Sequence, residues 1–322
     1  MVRRVFISLV LGVSGNVNAD AGVGTRIPMK KIISWNKEVR AFVSPRCIRR
    51  GIRNRLAEKG FKIDPLMITG KQLGDVGDPL LYVDDDLFGY LAPKKGKGEL
   101  QPARSGPVKI SPLISLHHTE ISVEFAGRFP RRDISIDAQE GNPVPFEIET
   151  AQWIGEMHAI ISDYIGIFHE DELTDDVKKK IERGDMNIER LGEKLYKLSD
   201  EERRRRIGSL LEVLLREGWL FPRGSEAVSH PKYYYAVILL SNKFLPLANI
   251  LKLKEDFSLD IEGIIKSSSI YEWNKGFIID YINGKIVHLT KAEDGVTVDE
   301  KEMSNQLINE VISVITKYLV SS

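Results

Sequence analysis

The sequence predicts an α+β fold, because apolar runs of strand length and amphipathic helical patterns both recur along its 322 residues. Residues 5–13 and 233–240 are β-branched, apolar runs that suit buried strands. Residues 44–59 and 199–217 carry apolar side chains at helical spacing. With 42% hydrophobic residues and no internal repeat, the chain is expected to form one elaborated domain over residues 1–322.

The ends of the two helices are marked by capping residues. Ser44 supplies an N-cap and Pro45 the first helical residue of one helix, and Gly60 ends it. Ser199 caps the other helix, which ends at Gly218. Both helices should therefore start and stop where these residues stand.

The remaining elements follow from shorter patterns. Asn283-Gly284 predicts a two-residue turn between strands 278–282 and 285–289. Residues 149–164 fit a helix and a strand equally well. The other predicted elements are strands 108–116 and 121–125 and a last helix over 303–319.

Three segments stand apart by composition. Residues 61–106 are interpreted as an insertion, because acidic side chains and a lysine-glycine run follow one another there. Residues 128–145 form an irregular basic hairpin. Residues 165–225 are charged and are predicted to be mainly helical.

Composition excludes several classes of protein. A single cysteine, Cys47, excludes an intrachain disulfide framework and a zinc site built on several thiolates. The first residues imitate a signal peptide, but their apolar run is short and suits a buried strand better. No run reaches the ~18 apolar residues of a membrane span. We therefore expect a cytoplasmic protein without a membrane partner.

Charge is distributed unevenly although the net charge is zero. Residues 1–60 carry thirteen Lys or Arg against three Asp or Glu, a local charge of +10. Such asymmetry indicates an anionic partner for the first part of the chain, or head-to-tail contact between copies.

The first helix concentrates this charge on one side. At about 100° per residue, Arg46, Arg49, Arg50 and Arg53 fall within an arc of about 100°. No acid on that face relieves them, so we expect all four to be uncompensated within the chain. Like charges at these spacings repel by about 0.2–0.5 kcal/mol per pair. The face is either merely solvated or a site for phosphate groups.

Nearby residues favour the phosphate interpretation. Trp35 and Phe42 lie among further cations, and arginine forks with aromatic faces suit a single-stranded polynucleotide. The candidate RNA-binding residues are Arg26, Lys30, Lys31, Lys37, Arg40, Ser44, Arg46, Arg49, Arg50 and Arg53.

Two other charged runs are predicted to be exposed to solvent. Arg203–Arg206 follow three acids at the spacing of helical ion pairs, with Asp200 four residues before Arg204. The run is therefore predicted to be internally neutralised on a solvated face. Asp84–Asp86 are predicted to form a solvated acidic turn, with magnesium binding as the alternative.

Enzyme signatures are scarce. No phosphate-binding glycine loop occurs, and His117 and His118 are adjacent on a predicted strand, so they point to opposite faces. We expect no catalytic residue, no metal and no cofactor; Asp20, in a loop near the basic cluster, is the one carboxylate worth testing.

The order of these motifs resembles the CRISPR-associated Cascade backbone subunit, the Cas seven family of DevR type in the RAMP superfamily. The resemblance rests on five segments: residues 5–20, the helix from Ser44, residues 86–90, residues 107–116 and the helix 206–215. It implies a ferredoxin-like core of the RNA-recognition-motif kind with large insertions, in which residues 128–145 are a thumb-like hairpin. The chain departs from many relatives in lacking a clear glycine-rich loop near its C-terminus.

The resemblance also implies a function. Several copies would line one CRISPR guide RNA in a type I Cascade interference complex, holding its phosphates and leaving most bases free to pair with a target DNA strand. The partners implied are the guide RNA, the target DNA strand, copies of the chain itself and other Cascade subunits. The helix from Ser44 and the Lys30–Lys31 loop match family segments that touch guide RNA.

Two alternatives remain from the same resemblance. Relatives in the RNA-targeting branch carry an acid in the loop after the first strand and cut target RNA with a metal, and Asp20 lies in a comparable stretch. The DevR name suggests a DNA-binding transcriptional regulator, although no helix-turn-helix pair is evident.

Overall fold

The computed structural model describes residues 1–22, 24–69, 72–93, 101–128, 144–184, 188–222, 229–293 and 295–321. The strands, in chain order, are β1 (Arg4–Ser14), β2 (Arg26–Ile27), β3 (Lys31–Ile33), β4 (Val39–Val43), β5 (Met67–Thr69), β6 (Gln72–Gly74), β7 (Gly89–Leu91), β8 (Ala103–Ser105), β9 (Val108–Ile110), β10 (Leu113–Ser115), β11 (Ser122–Arg128), β12 (Val144–Thr150), β13 (Gln152–Ser162), β14 (Ile167–His169), β15 (Ile188–Arg190), β16 (Leu195–Leu198), β17 (Lys232–Ser241), β18 (Lys275–Asp280), β19 (Lys285–Ala292) and β20 (Gly295–Glu302). The α-helices are α1 (Pro45–Glu58), α2 (Val83–Phe88), α3 (Asp175–Glu182), α4 (Asp200–Glu212), α5 (Ile261–Ser269) and α6 (Asn305–Val320), and a π-helical turn (Val213–Glu217) extends α4. The α+β class is thereby confirmed.

One antiparallel sheet organises the described chain. Its strands follow the order β20-β19-β18-β17-β1-β13-β10-β4-β3, and β9 also pairs with β13. The central strand is β1, which pairs with β13 on one side and β17 on the other. The predicted buried strand over residues 5–13 is confirmed.

The two faces of this sheet carry separate cores, because successive side chains of a strand point to opposite faces. Val5, Ile7 and Leu9 pack in the core formed with α1, α4 and α6. Phe6 and Val10 pack in a second core with α5 and residues 245–251. The helix α1 therefore lies on the opposite face of the sheet from α5.

The predicted capping residues of the two long helices are confirmed. The Ser44 side chain accepts a hydrogen bond from the Cys47 amide, and that of Ser199 accepts one from the Glu202 amide. Gly60 has φ +83° and Gly218 has φ +72°, a region that glycine enters without strain. Helix α6 agrees with the predicted last helix.

Two predicted elements differ in detail. Residues 108–116 form two short strands, β9 and β10, separated at Ser111-Pro112, since proline has no amide hydrogen for the ladder. The hairpin of β18 and β19 has a four-residue loop, because Asp280 pairs with Lys285 and the Asp280 carboxylate accepts from the amides of Ile282 and Asn283. The ambiguous residues 149–164 contain the strand β13.

The described parts of the three segments that stand apart also have regular structure. Residues 61–106 contain α2 and the short strands β5 to β8, and residues 165–225 contain α3, α4 and the small sheet β14-β16-β15. Most of the predicted hairpin 128–145 lies outside the described residues; its flanks are the antiparallel pair β11 and β12. Among the described helices, none is long and apolar enough to cross a membrane.

The predicted solvated acidic turn at residues 84–86 is wrong, since helix α2 buries all three aspartates. Asp86 is fully buried and lies 2.8 Å from both the Arg104 and the Arg206 guanidinium groups. Its carboxylate also accepts from the Gly166 amide. Buried charges require such partners, because the desolvation of an unpaired ion is costly.

The predicted solvated arginine run is also wrong for two of its four residues. Arg203 and Arg206 are 3% and 2% exposed. Arg203 donates to the carbonyls of Ile165 and Asp163, and Arg206 donates to those of Pro79 and Leu80. Of the predicted helical pairs four residues apart, that of Glu202 with Arg206 is present at 2.9 Å.

Asp85 has no cationic partner among the described residues. Its carboxylate accepts from the Asp78 amide at 2.9 Å. Burial, followed by the charges of Asp64 and Asp84, raises the pKa of Asp85 to about 9. The native chain therefore holds a proton at neutral pH that the unfolded chain, with a pKa near 3.8, releases.

We predict that the Asp85→Asn variant becomes increasingly more stable than the wild type as pH rises from 5 to about 9. The native state keeps the proton over this range, so wild-type stability falls by up to about 1.4 kcal/mol per pH unit through this group, whereas the amide cannot ionise. Thermal unfolding of both proteins across pH measures the difference.

The matched control is Asp86→Asn, which removes the charge from a paired aspartate on the same helix. It should cost about 3–5 kcal/mol by leaving two buried guanidinium groups without their carboxylate. A stability difference between Asp85→Asn and wild type that does not change with pH contradicts the prediction.

Candidate nucleic-acid interface

The N-terminus of α1 carries positive charge without a nearby acid in its first turn. Ser44 caps it, Pro45 occupies its first turn, and that turn contains no acid. The helices α3 and α4 instead carry two and three acids there, respectively. Amide groups at a helix N-terminus bear partial positive charge, so a cation such as Arg46 at this end costs about 0.3–1 kcal/mol.

Charge compensation divides α1 into two halves. In the C-terminal half, Arg53 lies 2.7 Å from Asp84 and Arg55 lies 3.1 Å from Glu217, and the C-cap residue Lys59 lies 2.6 Å from Glu212. In the N-terminal half, Arg46, Arg49 and Arg50 have no acid within ion-pair distance among the described residues. The cationic surface that remains is therefore shorter than the sequence predicted.

The expectation that no acid relieves this helix face is wrong for Arg53. The acid comes from α2, which is distant in sequence and is not visible in the helical pattern of α1. The Arg53 Nε atom donates to Asp84 Oδ2, and its guanidinium carbon lies 5.1 Å from the Phe88 ring centroid. Its side chain is still 30% exposed.

Arg49 is the most constrained of the three unpaired arginines. Burial lowers its pKa, and the neighbouring charges of Arg53 and Arg46 lower it further. Its buried Nε atom has no hydrogen-bond partner among the described residues. Burial and the Arg49 charge also lower the pKa of Lys109, a residue that sequence reasoning missed.

Four of the other predicted cations are divided between paired and unpaired positions. Arg26 and Lys31 both contact Glu149, at 2.9 and 2.8 Å, and Lys30 has no described acid partner. Arg40 lies 2.9 Å from Glu38. Arg26 and Lys31 thus hold β2 and β3 against the end of β12.

The fifth cation lies at the tip of the hairpin formed by β3 and β4. Lys37 has φ +66° and donates its amide to the Ser34 carbonyl, while the Ser34 amide donates to Glu38. Beside it, the Trp35 side chain is 95% exposed. A fully exposed indole beside a lysine is available for stacking.

A cavity of 240 Å³ lies beside the N-terminal half of α1. It is lined by Asn18, Ala19, Arg46, Cys47, Arg50 and Pro222. The Asn18 side chain is mostly buried; its Oδ1 accepts from the Ser44 hydroxyl at 3.4 Å. Its buried Nδ2 donor has no partner among the described residues, and Asn18 lines the cavity together with the cations Arg46 and Arg50.

Sequence reasoning missed Asn18 as well. The loop after β1 reaches α1 because the Lys30 amide donates to the Asn18 carbonyl and Ala19 bridges to Met29. Nothing in the local sequence distinguishes Asn18 from a surface loop asparagine.

Asp20 lies in the same loop and is exposed. Its carboxylate accepts from the Ala21 amide at 2.9 Å. Within the described ranges, no group of three or more His, Cys, Asp or Glu side chains is arranged to hold a metal ion.

Comparison with known families assigns the chain to one of them. The model of the family described as CRISPR-associated negative auto-regulator DevR/Csa2 matches residues 69–259. The chain belongs to the DevR/Csa2 family. No curated protein matches the sequence significantly.

Two solved structures are similar to the DevR/Csa2 chain. A chain of a "CRISPR RNA-guided surveillance complex, pre-nicking" matches with a TM-score of 0.53 and 13% identity, covering 97% of this chain and 99% of that one. A chain of a "CRISPR RNA-guided surveillance complex" matches with a TM-score of 0.46 and 12% identity, over 97% and 99% of the two chains. The first similarity establishes a shared fold.

We predict that Glu149→Gln destabilises the DevR/Csa2 chain by about 1–3 kcal/mol, because Glu149 is buried between Arg26, Lys31 and the Met29 amide. Burial acts to raise the pKa of Glu149, but the hydrogen bonds from Lys31 and Met29 outweigh it, so the pKa lies below 4.5. Its contribution should therefore be complete at pH 6 and be lost as pH falls below about 4.5. Urea unfolding at pH 6 and pH 3.5 measures this.

The matched control is Glu38→Gln, which removes a more exposed carboxylate paired with Arg40. It should change stability much less than Glu149→Gln does, because solvent screens an exposed ion pair. Equal effects of the two variants would show that the Glu149 contacts do not hold β2 and β3.

Proposed function

We propose that this chain is the guide-RNA-binding backbone subunit of a type I Cascade interference complex. The observation that carries the proposal is the uncompensated group Arg46, Arg49 and Arg50 at the N-terminus of α1. Cations at this end oppose the helix dipole and repel one another, so a polyanion that neutralises them gains binding energy from both effects. Family membership and the fold shared with a surveillance-complex chain support the same function.

We further propose that the core is ferredoxin-like, of the RNA-recognition-motif kind, with large insertions. The strands β17-β1-β13-β10 are antiparallel neighbours in that order, and α1 and α4 pack on one face. In chain order this is strand, helix, strand, strand, helix, strand with spatial order 4-1-3-2. Residues 61–106 are then an insertion between the first helix and the second core strand, and residues 128–145 are the thumb-like hairpin.

The proposed contacts to RNA are mainly to phosphates. Arg46 and Arg50 present guanidinium groups at the cavity beside α1, where a phosphate also meets the Asn18 amide donor. Lys30, Lys37 and the partly exposed Arg53 extend the surface, and the Trp35 ring offers a face for base stacking. Phosphate contacts carry no sequence information, which suits a subunit that accepts different guides.

The remaining partners follow from the same proposal. Copies of the chain would line the guide, the target DNA strand would pair with its free bases, and other Cascade subunits would complete the complex in the cytoplasm. We assign no catalytic step and no cofactor to the chain, and no catalytic role to Asp20.

We predict that Arg46→Glu with Arg50→Glu weakens single-stranded RNA binding roughly 100-fold, because two charge-assisted contacts are lost and two repulsive charges are added. Thermal unfolding should stay within a few degrees, since both side chains are exposed. Filter binding and calorimetry on the same preparations provide the two measurements.

The matched control is Lys254→Glu with Lys266→Glu, which makes the same change in net charge at exposed lysines on the face opposite α1. If both double variants weaken binding equally, the RNA responds to overall charge and the α1 site is not the interface. Stronger binding of duplex DNA than of single-stranded RNA would favour the transcriptional regulator.

RNA affinity should also fall steeply with salt. Each phosphate contact releases counterions, and for a single strand the slope of log K against log salt is about −0.7 per contact. Binding titrations over a range of potassium chloride concentrations should show a slope that becomes shallower by about 0.7 for each arginine replaced by glutamine at position 46 or 50. A salt-independent affinity would contradict a phosphate interface.

A further inference from the structure

A second and larger cavity lies where the central sheet ends. Its volume is 570 Å³, and it opens where β1 ends and where β13 and β17 begin. None of the residues that line it is acidic, and its polar lining includes Ser14, Gln152, Trp153, His230 and Lys232. The site is therefore rich in hydrogen-bond donors and carries positive charge.

A bulge in β17 shapes this cavity. Val10 pairs with Tyr235 and Leu11 pairs with Tyr233, so Tyr234 has no direct partner on β1. The Tyr234 ring lies over Gly12, where an added Cβ would approach a ring carbon to 2.7 Å. Bulges re-aim side chains in this way, and glycine permits the close approach.

The bulge also positions Lys232. The Lys232 Nζ atom lies 5.4 Å from the Tyr234 ring centroid, and its side chain is exposed. Among the described residues, no acid lies within ion-pair distance of it. The ammonium group is thus held over an aromatic ring at the cavity with its charge uncompensated.

The other polar side chains at the cavity differ in whether their ring nitrogens are hydrogen-bonded within the described residues. Both ring nitrogens of His117 have partners, since Nδ1 lies 2.7 Å from the His118 carbonyl and Nε2 accepts from the Ile154 amide. Trp153 is 4% exposed, and its buried Nε1 donor has no partner among the described residues. A buried donor of this kind calls for an acceptor that none of the described residues supplies.

Both cavities are bordered by the segment that follows β1. Ser14 lines the larger cavity, and Asn18, four residues later, lines the cavity beside α1. The Phe221 amide also donates to the Ser229 carbonyl at 2.8 Å. Phe221 precedes Pro222 of the α1 cavity, and Ser229 lines the larger cavity. The residues that line the two cavities are therefore close in sequence on one side and joined by a backbone hydrogen bond on the other.

We propose that the larger cavity is a second nucleotide subsite for the same RNA strand, with a phosphate on Lys232 and a ribose or phosphate oxygen on the Trp153 indole. This inference rests on the proposed function, because it extends the path of the strand beyond the α1 cavity. The ligand class is a single-stranded ribonucleotide chain, and a free nucleotide is the competing source of the same phosphate and ribose.

The test compares Lys232→Gln with Lys275→Gln in the full-length protein. Lys275 is a matched control, because it also begins a strand and lies over the aromatic ring two residues later, 5.6 Å from the Phe277 centroid. The β17 and β18 strands are antiparallel, so Lys275 is at the other end of the sheet. The probes are oligouridylates of graded length, from about 4 to about 16 nucleotides.

We expect Lys232→Gln to weaken binding of the longer probes roughly tenfold and to leave the shortest probe unchanged. The slope of log K against log salt should become shallower by about 0.7 for the longer probes alone. Lys275→Gln should match wild type at every length, and Lys232→Arg, which keeps the charge, should restore the longer-probe affinity.

Three outcomes would overturn the inference. If Lys232→Gln equals Lys275→Gln while Arg46→Glu with Arg50→Glu abolishes binding, the proposed function stands and the second subsite does not exist. If Lys232→Gln weakens the binding of free uridine monophosphate by the same factor as that of a long probe, the cavity is a nucleotide site independent of the strand. If none of these variants changes binding, the proposed function fails as well.

Discussion

The buried carboxylate of Asp86 is the contact on which the packing of residues 61–106 against the core depends. It bridges Arg104 of β8 and Arg206 of α4 at 2.8 Å each, and it accepts from the Gly166 amide. An unpaired ion in this environment would cost several kcal/mol, so arrangements of the three segments that keep this carboxylate paired are strongly favoured. That arrangement fixes α2 beside α1.

The position of α2 then determines which charges of α1 stay free. Asp84 is remote from α1 in the sequence. It contacts Arg53 because Asp86 anchors the same short helix, α2. The C-terminal half of α1 is further neutralised by Glu212 and Glu217 from the end of α4 and its π-helical turn. The N-terminal half faces the loop after β1 and retains its positive charge.

The uneven charge compensation along α1 places the proposed RNA interface at the N-terminal end of this helix. The free cations lie at the helix N-terminus, close to Asn18, where under the proposed function a phosphate would gain from several contacts at once. The larger cavity around Lys232 lies at the same end of the sheet and is also without acids in its lining. Both features are at the end of β1 that leads into the Ser14–Asn18 loop, so the central strand positions both cavities.

The sequence by itself determined the strands β1 and β17, the helices α1, α4 and α6, and the cationic character of the first part of the chain, because hydrophobic period, caps and local charge are properties of neighbouring residues. It predicted burial wrongly for Asp84–Asp86 and for Arg203 and Arg206, and it predicted Arg53 to be unpaired. Those outcomes depend on which distant segments meet, and the partners of Asp86 lie 18 and 120 residues away. Only the tertiary structure decided which charges are neutralised, since an ion pair between remote residues leaves no local pattern in the chain.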